Sequence, residues 1–271
     1  MNVIVPGIRF EFFDTIDSTN SEAKRRFSAL PPESYCSLHK KVLVAEKQTA
    51  GKGRLGRTFY SPPHTGLYFS LIYADGERAE PGIITAVSAV AVCRAIQTVF
   101  SVETSIKWVN DVFAGGKKVC GILTEGIINP QNGKIAALVI GIGINIFFSN
   151  ATPPELSSSA GGICGFLQPE NSFESVKKIP EQKNLLLART IENLVGILDN
   201  PQTEFSGAIN EYRLRSNLIG KTVTVSPVID KISGQYEAVV VGITDAAELI
   251  VRLPDGTQKT LYSGEVSLHK A

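Results

Sequence analysis

The amino-acid sequence predicts an α+β fold: a mixed, largely antiparallel central sheet with helices packed on it, followed by a small all-β, barrel-like module. Three observations carry this. Strand candidates at Ser105 to Val109, Val119 to Glu125 and Ile135 to Ile142 are joined by tight-turn signals, Gly115-Gly116 and Asn132-Gly133. Connections that short make neighbouring strands antiparallel and argue against a doubly wound sheet. Helical periodicity is clearest from Ile84 to Phe100, and beyond Gly220 the chain turns to short β runs separated by turn residues such as Pro254-Asp255-Gly256.

In chain order, Arg9 to Phe13 reads as a strand, and Thr19-Asn20-Ser21-Glu22 offers a capping box that opens a helix through about Leu30. Val42 to Glu46 and Leu67 to Tyr73 are strands flanking a basic, glycine-rich run. In the next segment Ile84, Val87, Val90, Ala91 and Ala95 recur at helical spacing, which predicts a helix packed on the sheet. Residues 149 to 183, rich in Ser, Pro and Gly, read as a long surface connection. Helices are expected over Asn184 to Leu198 and Thr203 to Asn217, then strands over Thr222 to Ser226, Tyr236 to Ile243, Glu248 to Leu253 and Gln258 to Tyr262. The predicted organisation is a main domain, 1–219, and a small β domain, 220–271. At about fifty residues the second is near the lower limit for independent stability, so it should lean on the first.

Composition narrows the function. Hydrophobic residues make up 43% of the 271 and charged residues 20%, enough for an ordinary core. Lys and Arg total 27 against 26 Asp and Glu, so there is no broad basic footprint of the kind a general nucleic-acid binder shows. Cys36, Cys93, Cys120 and Cys164 are widely spaced and His39, His64 and His269 are scattered, which argues against a zinc site or a disulfide framework and fits a reducing compartment. The start has no signal-peptide pattern, and the most apolar stretch, Ile135 to Phe148, is too short and too interrupted by Gly141, Gly143 and Asn145 to span a bilayer. The expected location is cytoplasmic.

The run from Lys47 to Arg57 holds Gly51, Gly53 and Gly56 with Lys47, Lys52, Arg54 and Arg57, and no acidic residue. Glycine lets the backbone approach an anion and Lys and Arg supply charge, so the composition suits a phosphate- or carboxylate-receiving loop; a solvated basic turn is the alternative. Ser18-Thr19-Asn20 is what any helix N-terminus wants, and such a terminus also suits a polar ligand. Ile106-Lys107-Trp108-Val109-Asn110-Asp111 contains the only Trp. As a strand it would place Lys107 and Val109 on one face. Lys117 and Lys118 also alternate, so only one should face a ligand. Gly141-Ile142-Gly143-Ile144-Asn145 has two glycines of a dinucleotide fingerprint but lacks the third and the following helix, which excludes a Rossmann site.

The order of these segments carries more than any one of them. Ser18-Thr19-Asn20, Gln48-x-x-Gly51-Lys52-Gly53-Arg54-x-Gly56-Arg57, Lys107-Trp108-x-Asn110-Asp111, Lys118-x-x-Gly121-Ile122-Leu123 and Gly141-Ile142-Gly143-Ile144-Asn145 closely resemble the biotin protein ligase family. Ser263-Gly264-Glu265-Val266-Ser267 resembles that family's closing strand, so the likeness spans the chain from about residue 10. It implies an enzyme that joins biotin to ATP as biotinyl-5′-adenylate and then passes biotin to one lysine of a biotin carboxyl carrier protein. By the same resemblance Ser18, Thr19, Asn20 and Gln48 would hold biotin's polar head, with Gly121 nearby and Gly51, Lys52, Gly53 and Arg54 closing over it. Arg54 and Arg57 would meet phosphate. Trp108, Asn110, Asp111 and Asn145 would line the nucleotide side. Lys118 would meet both the biotin carboxylate and the α-phosphate, making Lys118 and Arg54 the catalytic pair. Mg²⁺ is implied as a companion of ATP, held by phosphates and water and needing no dedicated protein ligands.

Two positions depart from the family pattern: Lys52 stands where many relatives have Arg, and Val109 where proline is common. Only 17 residues precede Ser18, too few for the helix-turn-helix domain of the family's repressor members, so a form without DNA binding is expected. A homodimer is compatible with the sequence and not demanded by it. Lipoate or octanoate attachment by a related fold is the alternative activity; an acyl-enzyme route would require a nucleophilic cysteine. A non-catalytic nucleotide sensor is the alternative of another class.

Overall fold

The computed structural model of the protein describes residues 4–74, 80–147, 153–167, 179–226, 234–262 and 265–268. Seven strands form the main sheet: β1 (Arg9–Ile16), β2 (Lys41–Gln48), β3 (Gly66–Tyr73), β4 (Ser105–Lys107), β5 (Asp111–Ala114), β6 (Lys117–Ile128) and β7 (Ile135–Asn145). Their order is β1-β2-β3-β7-β6-β5-β4. Only β1 and β2 are parallel, joined through α1 (Thr19–Ser28); every other pairing is antiparallel, as the short connections require.

Side-chain alternation gives the sheet two buried faces. Val42, Val44, Leu67, Phe69, Leu71, Ile140, Ile142 and Ile144 join the core beneath α2 (Pro81–Phe100), α4 (Ile179–Asp199) and α5 (Pro201–Arg215). Leu43, Ile72 and Val139 face the opposite way, onto Ala23 and Phe27 of α1. The third helix, α3 (Pro154–Ser157), is a single turn. Helix α2 is buried almost all round and packs on α4, α5 and β6. Among the described residues it is the one helix long and apolar enough to cross a membrane, and that apolarity serves the centre of the core.

The second sheet is antiparallel, in the order β11-β10-β9-β8-β12, from β8 (Thr222–Ser226), β9 (Tyr236–Ile243), β10 (Leu249–Arg252), β11 (Gln258–Leu261) and β12 (Glu265–Leu268). It leans on the main sheet as its size requires. The Trp108 indole donates to the Ala247 carbonyl at 2.8 Å, Arg213 Nε donates to the Ile243 carbonyl at 2.8 Å, and one hydrophobic core is continuous from α2 to Val223, Val240 and Leu249.

Four expectations change. The cap of α1 is Ser18, whose side chain accepts from the Ser21 N–H, so no capping box starts at Thr19; Glu22 turns instead to Arg25 and Arg26. The strand expected over Ser105 to Val109 stops at Lys107, because the Asn110 carbonyl and side-chain amide both bond Ile122 and draw residues 108 to 110 into a turn. Trp108 and Val109 are consequently both buried, and alternation does not apply to them. Asp111–Ala114 forms a strand of its own, and Gly115-Gly116, both with positive φ, is the β5–β6 turn. Within 149 to 183, residues 149–152 and 168–178 lie outside those described, while the rest includes buried Ile163, a bridge between Ala160 and Lys118, and the first turn of α4.

Acid sensitivity is built in around α1. Arg26 grips Glu11 with both terminal guanidinium nitrogens and Arg25 grips Asp17 likewise, which holds each carboxyl down at about 2. A depressed folded value means stability that is complete above about pH 4 and is lost as pH falls toward 2. The thermal midpoint should therefore drop across that window, and Glu11→Gln should flatten the drop; a variant profile parallel to that of the parent would count against it.

Candidate functional site

A cleft opens over the face of the sheet that carries α1, at the end where β2, β6 and β7 deliver the expected residues. Its wall and floor combine Ser18, Thr19 and Asn20 at the N-terminus of α1, Gln48 at the end of β2, Lys52, Gly53, Arg54 and Arg57 from the basic run, Trp108, Asn110 and Asp111 from the turn, and Lys118 and Gly121 from β6. Among the described residues five cationic side chains, with Lys107 the fifth, line it against the single carboxylate of Asp111. That balance favours an anion.

The basic run forms a folded flap. The Gln48 N–H donates to the Ser61 carbonyl, the Phe59 N–H to the Gly51 carbonyl and the Gly53 N–H to the Arg57 carbonyl, a ladder that narrows to a tip where Leu55 and Gly56 have positive φ. Arg54 Nη1 reaches across to donate to Asn110 Oδ1 at 3.1 Å, tying the flap to the turn.

Of the two lysines after the β5–β6 turn, Lys118 faces the cleft and pairs with Asp111 at 2.7 Å, while Lys117 donates to the Ser157 and Ser158 carbonyls outside it. At the opposite, polar end, Gln48 Oε1 accepts the Thr19 N–H at 2.9 Å and Gln48 Nε2 donates to Ser61 Oγ at 3.0 Å. Asn20 Nδ2 donates to the Leu123 carbonyl and to Glu125.

The glycines of β6 and β7 are explained by space. Gly121 and Gly143 pair side by side, and Phe59 covers both: a Cβ on Gly143 would come within 2.4 Å of its ring, and one on Gly121 within 3.0 Å. A Cβ on Gly141 would stand 2.2 Å from Asn20 Oδ1. The alternation of glycine with isoleucine is therefore a strand period, apolar toward α2 and bare toward the cleft.

Two expected residues do not line the cleft. Gly51 is buried behind the flap, where a Cβ would lie 2.4 Å from the Phe59 carbonyl; Asn145 ends β7 opposite Gly66. Thr58, Phe59, Leu123, Val266 and Ser267 also line it, though no site role was expected of them: Leu123, Val266 and Ser267 stand in the motifs without one, and Thr58 and Phe59 stand outside the motifs. The period-two glycines were the signal for the floor. Val266 and Ser267 belong to β12, so the second sheet supplies part of the wall; Ser263 and Gly264 of the same motif lie outside the described residues. Trp108 lines the cleft while its N–H is spent on Ala247.

No cysteine lines the cleft. Burial pushes the Cys93 and Cys164 thiols up to about 11 and raises that of Cys120 well above the usual thiol range, so these three stay protonated near neutrality and offer no thiolate nucleophile. Cys36 is exposed on the 3₁₀ turn over Pro32–Leu38.

Comparison with known proteins agrees with this geometry. Residues 12–145 match the biotin/lipoate A/B protein ligase family, and residues 218–269 match the biotin protein ligase C terminal domain. The bifunctional ligase/repressor BirA of Bacillus spizizenii is 28% identical over 268 residues, covering 97% of this chain and 75% of that protein. The biotin–[acetyl-CoA-carboxylase] ligase of Paracoccus denitrificans is 27% identical, covering 89% of this chain and 93% of its own length. Among solved structures, a biotin protein ligase from Aquifex aeolicus in complex with biotin and ATP superimposes with a TM-score of 0.72 at 25% identity, over 97% of this chain and 99% of that one. With both halves of the architecture matched in order, the chain belongs to the biotin protein ligases, within the biotin/lipoate A/B protein ligase family.

Proposed function

We infer that the cleft binds biotin and ATP, joins them as biotinyl-5′-adenylate with release of pyrophosphate, and presents the adenylate to a lysine of a biotin carboxyl carrier protein. One observation supports this above the rest: Lys118 and the cationic flap line the same cleft as the uncharged polar group of Ser18, Thr19 and Gln48, with Ser61 holding the Gln48 amide from behind. A carboxylate and a triphosphate repel each other, and their reaction needs fixed positive charge where both converge. A cyclic urea needs paired donors and acceptors at the other end.

In this mechanism Lys118 exchanges Asp111 for the biotin carboxylate and the α-phosphate, guiding carboxylate oxygen to phosphorus and stabilising charge on the departing pyrophosphate. Arg54 and Arg57 hold phosphate oxygens, and the flap covers the mixed anhydride against water until the carrier lysine attacks as a neutral amine. Among the described residues no three His, Cys, Asp or Glu converge, so a Mg²⁺ entering with ATP would rest on phosphate and water oxygens, with Asp111 the one carboxylate lining the cleft. Mg²⁺ would supply charge neutralisation on the triphosphate.

ATP–pyrophosphate exchange that depends on biotin, followed by labelling of one carrier lysine, tests the assignment; exchange driven by lipoate and not by biotin would overturn it. Arg54→Gly removes the tie to Asn110 and a phosphate contact, and charge-assisted bonds of this sort contribute about 1.5–3 kcal/mol. Adenylate should escape from that variant at least about tenfold faster, read as the rate at which free adenylate reaches solution. An unchanged lifetime would remove the flap from its protective role.

A further inference from the structure

Ser70 lies mid-strand in β3, fully buried and outside the cleft lining, yet its Oγ is 2.7 Å from Thr19 Oγ1 and 2.6 Å from Asn20 Oδ1. A serine hydroxyl has one proton and cannot donate to both. The surroundings decide which it serves. Asn20 Nδ2 faces the Leu123 carbonyl at 3.2 Å and Glu125 Oε2 at 2.8 Å, two groups that only accept, so the Asn20 amide has a single permitted orientation. Its Oδ1 must then accept, and Ser70 is the donor beside it. With that proton committed, Ser70 Oγ can only accept from Thr19, since two hydroxyl oxygens 2.7 Å apart with no proton between them would repel.

The Thr19 hydroxyl has one alternative acceptor, Gln48 Oε1, but at 3.2 Å it is farther than Ser70 Oγ at 2.7 Å and would leave the two hydroxyl oxygens facing each other without a proton. Beyond it, Gln48 Nε2 donates to Ser61 Oγ and Ser61 Oγ donates to the Phe59 carbonyl, so the donors and acceptors there are matched without the Thr19 proton. At the other end Glu125 is held by Lys24 as well as by Asn20.

We propose that Ser70, oriented through Asn20 by Glu125, fixes the Thr19 hydroxyl as a hydrogen-bond acceptor toward the cleft and so is a specificity-determining positioning residue for a ligand head that donates N–H. This rests on the assignment of biotin as the ligand, whose ureido ring carries such groups. A ring oxygen in the same place would meet a lone pair, and mismatched buried polar pairs are what give polar sites their large discrimination.

Calorimetric titration with biotin, with ATP and with the isosteric cyclic-carbonate analogue, in which oxygen replaces both ureido N–H groups, reads the wiring directly. The parent protein should prefer biotin strongly. In Ser70→Ala the Thr19 proton is free to turn to the cleft, so the ratio of carbonate to biotin dissociation constants should narrow about tenfold, the scale of one buried hydrogen bond, while ATP binding stays as in the parent. Glu125→Gln, which lets the Asn20 amide reverse, should narrow the ratio in the same direction. An unchanged ratio in Ser70→Ala, with ATP binding intact, overturns the proposal and leaves the ligase assignment standing. A parent that does not bind biotin overturns both.

Discussion

Lys118→Ala lowers the single-turnover rate of biotinyl-adenylate formation by about 10²-fold or more, the usual effect of removing one oriented donor from a developing charge. The structure adds a reason for expecting the upper end. Lys118 is paired with Asp111 at 2.7 Å, and both line the cleft. Truncating the lysine removes the cation that draws biotin's carboxylate to the α-phosphate, and it also leaves the Asp111 carboxylate facing two incoming anions. Loss of attraction and gain of repulsion act together in a partly buried site, where screening is weak. Lys118→Ala combined with Asp111→Asn should therefore recover part of the rate, by mutual non-additivity of neighbouring charges. A single variant that forms adenylate at the parental rate would take Lys118 out of the reaction, and a double variant slower than the single would show that Asp111 acts independently of the pair.

How far the sequence foretold this site depended on whether a residue's role was local. Alternation required that only one of Lys117 and Lys118 face a ligand and the family resemblance pointed to Lys118, and the structure has Lys118 in the cleft and Lys117 on the Ser157 and Ser158 carbonyls. The flap was only half legible from composition, since three glycines and four cations in one short run suit an anion but equally suit a solvated basic turn, and it was the order of the motifs that separated the two. Phe59 was not, because its role is to cover Gly121 and Gly143, which are remote in sequence. Trp108 and Val109, which lie in the turn before β5, look like strand residues in the sequence for a similar reason. These apolar residues look extended by themselves, and the bonds from Asn110 to Ile122 that bend the turn come from another strand. The contribution of β12 to the wall is likewise tertiary, for the motif holding Val266 and Ser267 marked a closing strand and not its seat against the cleft. The α+β class survived all of this because it rests on connection lengths, which are local.

Gly141→Ala should weaken biotin binding by about 10- to 100-fold, the equivalent of roughly 1–3 kcal/mol of overpacking. The added carbon would stand 2.2 Å from Asn20 Oδ1 and 2.9 Å from its Cγ, well inside contact distance. A flexible exposed amide would swing away at small cost, but this one is buried. Its nitrogen is held by the Leu123 carbonyl and Glu125, and its oxygen by Ser70, so moving it breaks all three bonds or drags α1 off the sheet. Either response shifts Thr19 and the Ser18 cap from the polar end of the cleft. The phosphate end, built from the flap and Lys118, is untouched, so ATP binding by Gly141→Ala should stay within about twofold of the parent, the tolerance of independent sites. Gly126→Ala is the matched control on β6, because the nearest atoms its Cβ would meet belong to the Ile135 side chain, at 3.4 Å, an ordinary contact. Equal losses of biotin affinity in the two alanine variants would mean that sheet disturbance alone, and not the crowding of Asn20, sets the affinity of this cleft.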